Sequence, residues 1–421
     1  MRVYFDYNAT TPLAQEVIDA VARATRDTFG NASSVHHFGQ QAKAAMDDAR
    51  SAVSALIHAD PSEIVFTSGG TEADNFAIRG AAEAIEPTGR RHLIASAIEH
   101  EAVLNTFKAL ARRGWRTTLL RVGESGIVSP ESLKEALADD TALVSVMHAN
   151  NEIGTIQPIA ELATMAHARG ALLHTDAVQT AGKIPVDVRA LGVDLLSLSA
   201  HKFNGPKGAG ALWIKRGTRM QPMVTGGKHE RNRRAGTENV PAIAGLGVAA
   251  QLAAGKLAAE AMRVAALRDR LEEGILAAVP GTAVNGAPGS RVPNTTNISF
   301  DRVEAESLLI ALDLEGIAVS TGSACSSGTL EPSHVLRAMG LPTHRTQNSL
   351  RFSLGMFSTA EEVDRVVAVL PRLVEKLRGL TRRDSGIGSR DSNARSADPE
   401  PTIAKPESRI PKPESRIPNP D

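Results

Sequence analysis

The sequence predicts an α/β fold, with a large domain on a mainly parallel seven-stranded sheet and a smaller α+β C-terminal domain. Three observations predict it. Short apolar runs at 63–66, 92–96, 117–122, 142–147, 171–175 and 193–199 alternate with stretches of helical periodicity. A seventh run, 210–214, follows the sixth after a short Gly/Pro turn, which predicts an antiparallel strand. From 256 the pattern changes to one long helix, to about 278, and short strands at 297–300, 317–320 and 350–353.

In chain order, Tyr4-Phe5-Asp6-Tyr7-Asn8-Ala9-Thr10-Thr11-Pro12 reads as an extended arm ended by a proline that can start a helix over 13–28. A polar turn at 30–39 precedes a second helix to about 57. After the 63–66 strand, Ser68-Gly69-Gly70-Thr71 is a glycine turn opening a helix, whose free amides and dipole favour a phosphate. The next strands finish in Glu99-His100, in His148-Ala149-Asn150-Asn151-Glu152 and in Asp176-Ala177-Val178-Gln179. The 193–199 run follows Gly192, is apolar enough to be buried on both faces, and delivers Ser199-Ala200-His201-Lys202. Five strand ends with polar groups on one sheet edge point to a ligand site, because open α/β sheets bind ligands there. A lysine desolvated at such an edge falls below its ordinary pKa of about 10.4 and becomes a nucleophile toward a carbonyl, as a Schiff-base lysine must.

The last helix of the smaller domain opens with Ser358-Thr359-Ala360-Glu361, a capping-box pattern. Between that domain's strands the only cysteine, Cys325, stands among serines and glycines, the setting of a reactive thiol rather than a packed one. No Cys or carboxylate stands at metal-ligand spacing from His36 and His37, so these read as packing or dimer residues and no metal site is expected. His148 and Glu152 suit strand-end hydrogen bonding and helix capping as well as ligand contact.

Composition bounds the rest. The chain has 421 residues, 42% of them hydrophobic, enough for two or three domains with large cores. Lys+Arg 47 balances Asp+Glu 47, so no global charge favours nucleic acid or an anionic membrane. A single cysteine excludes an intrachain disulfide and suits a reducing compartment. No apolar run approaches the roughly 20 residues of a membrane span and the start lacks a signal-peptide pattern, so a cytoplasmic location is expected. The expected organisation is an arm at 1–14 packing with the small domain, a large domain at 15–255, a small domain at 256–380 and a disordered tail at 381–421. That tail is rich in Ser, Arg, Pro and Glu, and repeats 405–411 as 412–418.

Seven motifs carry a resemblance: Ser-Gly-Gly-Thr-Glu-Ala-Asp-Asn (68–75), Asn-Asn-Glu-Ile-Gly-Thr (150–155), His-Thr-Asp-Ala-Val-Gln (174–179), Ser-Ala-His-Lys (199–202), Arg-Ala-Gly-Thr-Glu-Asn (234–239), Gly-Ser-Ala-Cys-Ser-Ser (322–327) and Leu-Arg-Phe-Ser-Leu-Gly (350–355). Together, from Tyr7 to about Leu380, they resemble the cysteine desulfurases of the NifS/IscS type, class V aminotransferase relatives of pyridoxal-phosphate fold-type I. The cysteine motif decides between them and aminotransferase relatives, which share the lysine and aspartate patterns.

The resemblance implies a pyridoxal 5'-phosphate enzyme that converts L-cysteine to L-alanine and leaves the sulfur as a persulfide on Cys325. Lys202 would hold the cofactor aldehyde and move protons, Asp176 would pair with the pyridine nitrogen, Gln179 would donate to the ring oxygen, and His100 would stack on the ring. Thr71, Ser199 and His201 would hold the phosphate, with Thr237 from the second subunit of a homodimer. Arg351 would fork the substrate carboxylate, with Asn150 beside it. The implied partner is a sulfur acceptor of iron–sulfur cluster assembly or of thiolation, reached by a mobile cysteine loop at 320–330. If Cys325 were incidental, a class V aminotransferase or a selenocysteine lyase would remain. Ala32, Asn204, Lys228 and Asn232 depart from the family's common residues, and none of them removes a catalytic group.

Overall fold

In the computed structural model, which describes residues 2–321 and 332–386 with side chains through Leu380, twelve strands are assigned. They are β1 (Val3–Tyr4), β2 (Ile64–Thr67), β3 (His92–Ser96), β4 (Arg116–Leu120), β5 (Thr141–Ser145), β6 (Leu172–Asp176), β7 (Leu195–Ser199), β8 (Gly210–Ile214), β9 (Thr282–Val284), β10 (Thr295–Phe300), β11 (Ile317–Ala318) and β12 (Ser349–Ser353). The cysteine motif at 322–327 and the repeat tail lie outside the described residues.

The main sheet has seven strands in the order β2-β8-β7-β6-β5-β3-β4. From β4 to β7 the pairings are all parallel, and β8 runs antiparallel to both β7 and β2. Every residue of β3, β5 and β7 is buried, as parallel strands covered on both faces must be. Phe76, Ala77, Val103 and Phe107 cover one face. Met46, Val53, Leu162, Ile243 and Leu246 are in the cluster on the other. The chain leaves β3 for β4 on one side and returns to β5 on the other, which makes the C-terminal ends of β3 and β5 a switch point where ligands fit.

A third cluster contains Leu271, Ile275, Ile298, Leu308, Phe352 and Val363 together with Val3 and Phe5 of the N-terminal arm. The arm reaches it by pairing β1 parallel to β11. The helix predicted to begin at 256 is the second half of one helix, Val240–Ala278. Gly255 alone is too weak a breaker to end it, costing about 1 kcal/mol relative to alanine. By length and composition this helix would also pass as a membrane span, although the sequence pattern predicted none; its first half packs on the helices Gln15–Asp27 and His37–Leu56. The predicted capping box forms one residue later than expected: Thr359 Oγ1 accepts from the Glu362 amide at 3.3 Å and Glu362 Oε2 from the Thr359 amide at 3.0 Å.

Candidate functional site

The site lies at the C-terminal ends of the parallel strands, roofed by the N-terminal arm. A short 3-10 turn, Ala200–Lys202, follows β7 and brings the Lys202 amine to the arm, where it donates to the carbonyls of Asn8 at 2.6 Å and Ala9 at 2.9 Å. Gln179 Nε2 donates to the same Asn8 carbonyl at 3.1 Å. Asn8 is itself held by hydrogen bonds from its amide nitrogen to the Asn151 carbonyl at 3.0 Å and to Thr295 Oγ1 at 2.8 Å.

Asp176, the last residue of β6, is buried, and its Oδ1 accepts from the Val178 amide at 2.8 Å. Burial raises its pKa, while the charges of His100 and Lys202 pull the other way. Two more buried carboxyls, Asp74 and Glu99, are pushed well above the usual range by burial, and the charge of Asp176 adds to both shifts. Of the three, Asp176 is the one with positive neighbours, His100 and Lys202, that favour its charged form.

His100 caps the helix Glu101–Ala111, its Nδ1 accepting from the Ala102 amide at 3.1 Å. Its proton therefore sits on Nε2. Burial holds its pKa below the ordinary value despite the opposing charge of Asp176, and Lys202 adds to the lowering.

Ser199 is buried at the end of β7, facing the glycine turn that opens the helix Gly70–Ile85. Gly69 sits at φ 155°, and a Cβ there would stand 3.7 Å from Ser199 Oγ; one on Gly70 would meet Val178 Cγ2 at 2.8 Å. Side chains at either position would fill the space between the helix start and Ser199. Thr71 is exposed at that start. His201 Nδ1 lies 3.1 Å from Thr10 Oγ1, and burial, helped by the charge of Lys202, lowers its pKa to about 4. Thr237 is exposed on the loop pinned to this turn by Arg234, which pairs with Glu72 at 2.8 Å.

Arg351, buried in β12, pairs through Nη2 with Asp6 at 2.6 Å and donates from Nη1 to the Asn151 carbonyl at 3.0 Å. The sequence placed Asn150 beside it as a substrate contact. In the structure Asn150 holds the turn after β5: Nδ2 donates to the Ile98 carbonyl at 3.0 Å, and Oδ1 accepts from the amides of Glu152 at 2.8 Å and Ile153 at 3.1 Å. Glu152 accepts from Ser333 Oγ at 2.5 Å, His148 Nδ1 meets Thr180 Oγ1 at 3.0 Å, and His36 caps the helix His37–Leu56. Cys325 lies outside the described residues.

Sequence reasoning missed three residues. Asn8 and Asp6 were read only as parts of an extended arm. Lys183 carried no signal beyond its place four residues after Gln179; its amine donates to Gln179 Oε1 at 2.7 Å and Asn8 Oδ1 at 3.2 Å. Lys183 and Lys202 also border a cleft shared with Tyr7, Phe203, Leu252 and Leu354.

The pattern of the family "Aminotransferase class-V" matches residues 3–366. A cysteine desulfurase IscS of Dictyoglomus turgidum is 50% identical over 376 residues, covering 89% of this chain and 95% of that one. Another, of Methanosarcina thermophila, is also 50% identical, covering 89% and 93%. Among solved structures, a NifS-like protein superposes with a TM-score of 0.84 at 38% identity, over 89% of this chain and 100% of its own. A NifS-like protein of Rickettsia africae superposes with a TM-score of 0.80 at 30% identity, covering 89% and 100%. The chain belongs to the class-V aminotransferase family, among its cysteine desulfurases of the NifS/IscS type.

Proposed function

We propose that this protein is a cysteine desulfurase that uses pyridoxal 5'-phosphate to convert L-cysteine to L-alanine, leaving the sulfur as a persulfide on Cys325. The observation that carries the reading is convergence: Lys202 and Gln179 meet on one carbonyl of Asn8, and Asp176 and His100 lie within reach of the Lys202 charge.

The residues present fit the cofactor. The helix start at Gly70, kept clear by two glycines, and Ser199 form a cradle with free amides for a phosphate, with Thr71 and His201 at its margins. Thr237 is exposed, which suits a contact offered to the phosphate of a second copy in a homodimer. Asp176 would pair with the pyridine nitrogen, and Gln179 would donate to the ring oxygen. When bound, the group supplies an electron sink that loosens the bonds at the substrate α-carbon.

The protein's own groups do the rest. Lys202 would supply the amine for the cofactor aldehyde and would be the group that carries the α-proton. His100, neutral with its proton on Nε2, can stack on the ring and donate. Arg351 offers charge and N–H groups for the substrate carboxylate. The Cys325 thiolate takes the substrate sulfur as the carbon–sulfur bond breaks, so cysteine and a thiol become alanine and a persulfide. The role of Cys325 rests on its motif and on the relatives' activity. The persulfide would pass to an acceptor of iron–sulfur cluster assembly or thiolation in the cytoplasm.

Mass spectrometry of the protein after incubation with L-cysteine tests this. One added sulfur on the Cys325 peptide, absent in Lys202→Ala, together with loss of alanine release in Cys325→Ser, is the expected result. Alanine release at the wild-type rate in Cys325→Ser would favour the selenocysteine-lyase or aminotransferase reading instead.

A further inference from the structure

Lys183 is a half-buried lysine, at the edge of the cleft, that the mechanism above leaves unused. It lies four residues after Gln179 in the turn that follows β6, and it donates to Gln179 Oε1 at 2.7 Å and to Asn8 Oδ1 at 3.2 Å. The second acceptor is unambiguously an oxygen. Asn8 Nδ2 is committed to the Asn151 carbonyl and to Thr295, and Asn294 Nδ2 donates to Asn8 Oδ1 at 2.9 Å. The far end of Gln179 is equally defined, because its Nε2 faces the Asn8 carbonyl, which can only accept. Burial, with the charges of Lys202 and Arg351 behind it, pushes the Lys183 amine well below its ordinary pKa.

A primary amide has no intrinsic preference between its two orientations in a pocket; its neighbours choose. We propose that Lys183 is a positioning residue that, together with the Asn8 carbonyl, fixes the Gln179 amide end for end, so that its nitrogen and not its oxygen faces the ring oxygen of the bound cofactor. The inference rests on the cofactor reading above. The nitrogen has two hydrogens, one spent on Asn8 and one left for the ring oxygen. Without Lys183 the Gln179 oxygen loses its donor, only the Asn8 carbonyl still opposes a flip, and the flipped fraction would present an oxygen to an oxygen anion. Removing a donor from an anion raises the anion's pKa.

The test is a pH titration of the visible absorbance of protein loaded with pyridoxal phosphate, which reads the ring environment independently of turnover. In Lys183→Met the apparent pKa of the chromophore is expected to rise by about one unit. Lys183→Gln, which restores one donor, should titrate close to the wild type. In a Gln179→Leu background, Lys183→Met should add no further shift. Should Lys183→Met fail to fold, Lys183→Thr, polar but too short to reach Gln179, takes its place in each comparison. A donor-less variant that titrates like the wild type, or a shift that persists undiminished without Gln179, overturns the proposal. A wild-type protein that develops no visible chromophore with pyridoxal phosphate instead sinks the cofactor reading, and this proposal with it.

Discussion

Arg351 is paired with Asp6 at 2.6 Å, so the guanidinium offered to the substrate carboxylate is tied to the same N-terminal arm whose carbonyls receive the Lys202 amine. The arm is therefore part of the site's framework, two residues from Asp6 to the Asn8 that Lys202 and Gln179 share.

Replacing Arg351 by lysine keeps the charge and loses the planar fork. The KM for L-cysteine should rise by about tenfold or more, equivalent to about 1.4 kcal/mol, while the visible absorbance of the loaded protein is unchanged. Steady-state kinetics with absorbance spectra checks this. An unaltered KM would remove Arg351 from substrate recognition.

The loop carrying Arg234 and Thr237 is anchored by Glu230, which pairs with Arg50 at 2.7 Å with both side chains under 10% exposed, and accepts from the Phe66 amide at 2.9 Å. Arg50 also lies 4.5 Å from the centre of the Phe66 ring. Arg50→Met strands a buried carboxylate and should cost about 3–5 kcal/mol, read as a lower urea midpoint. Arg50→Met with Glu230→Gln should recover part of that loss, since no charge is then left unpaired.

His148 is enclosed, and burial alone lowers its pKa to about 4. Its unfolded value is about 6.5, so between those values the unfolded chain binds the proton and the native state does not. Stability therefore falls as pH drops below about 6.5 and the effect saturates near 4, at no more than about 1.4 kcal/mol per pH unit from this residue. His174, lowered to about 3 by the same cause, acts in the same direction. Urea unfolding at stepped pH should show a shallower acid slope in His148→Gln than in the wild type. Equal slopes would mean that His148 titrates normally in the folded protein.

A Cβ on Gly355 would stand 2.0 Å from Tyr7 Cδ1, a contact no small shift relieves. Gly355→Ala should lower stability by about 1–3 kcal/mol or more and loosen the arm. Thermal denaturation gives the first effect and faster proteolytic trimming of the N-terminus the second. A melting curve like that of the wild type would show that the arm can yield at no cost.

Much of this was legible in the sequence because it is local. Apolar runs of strand length placed all seven strands of the main sheet to within a few residues, and glycines and polar residues at their ends marked the turn at Gly69-Gly70 and the residues His100, Asp176, Gln179, Ser199 and Lys202. Each of these is a feature of a few consecutive residues, so periodicity and turn chemistry report it. The capping box was legible too, although two overlapping Ser/Thr–Glu pairs fitted the pattern and only the hydrogen bonds chose Thr359 and Glu362.

What the amino-acid order alone determined, then, was the alternation of elements and which strand ends carry reactive groups. Tertiary structure decided how those ends are held: that Asn8, 194 residues before Lys202, receives its amine, that Asp6 grips Arg351 from 345 residues away, and that Lys183 reaches Asn8 across 175 residues. Such contacts join chain segments that meet only when the sheet and both its covering layers are assembled. Nothing in the spacing of neighbouring residues records them, because the free energy that selects them belongs to burial and hydrogen-bond partners supplied by the whole fold.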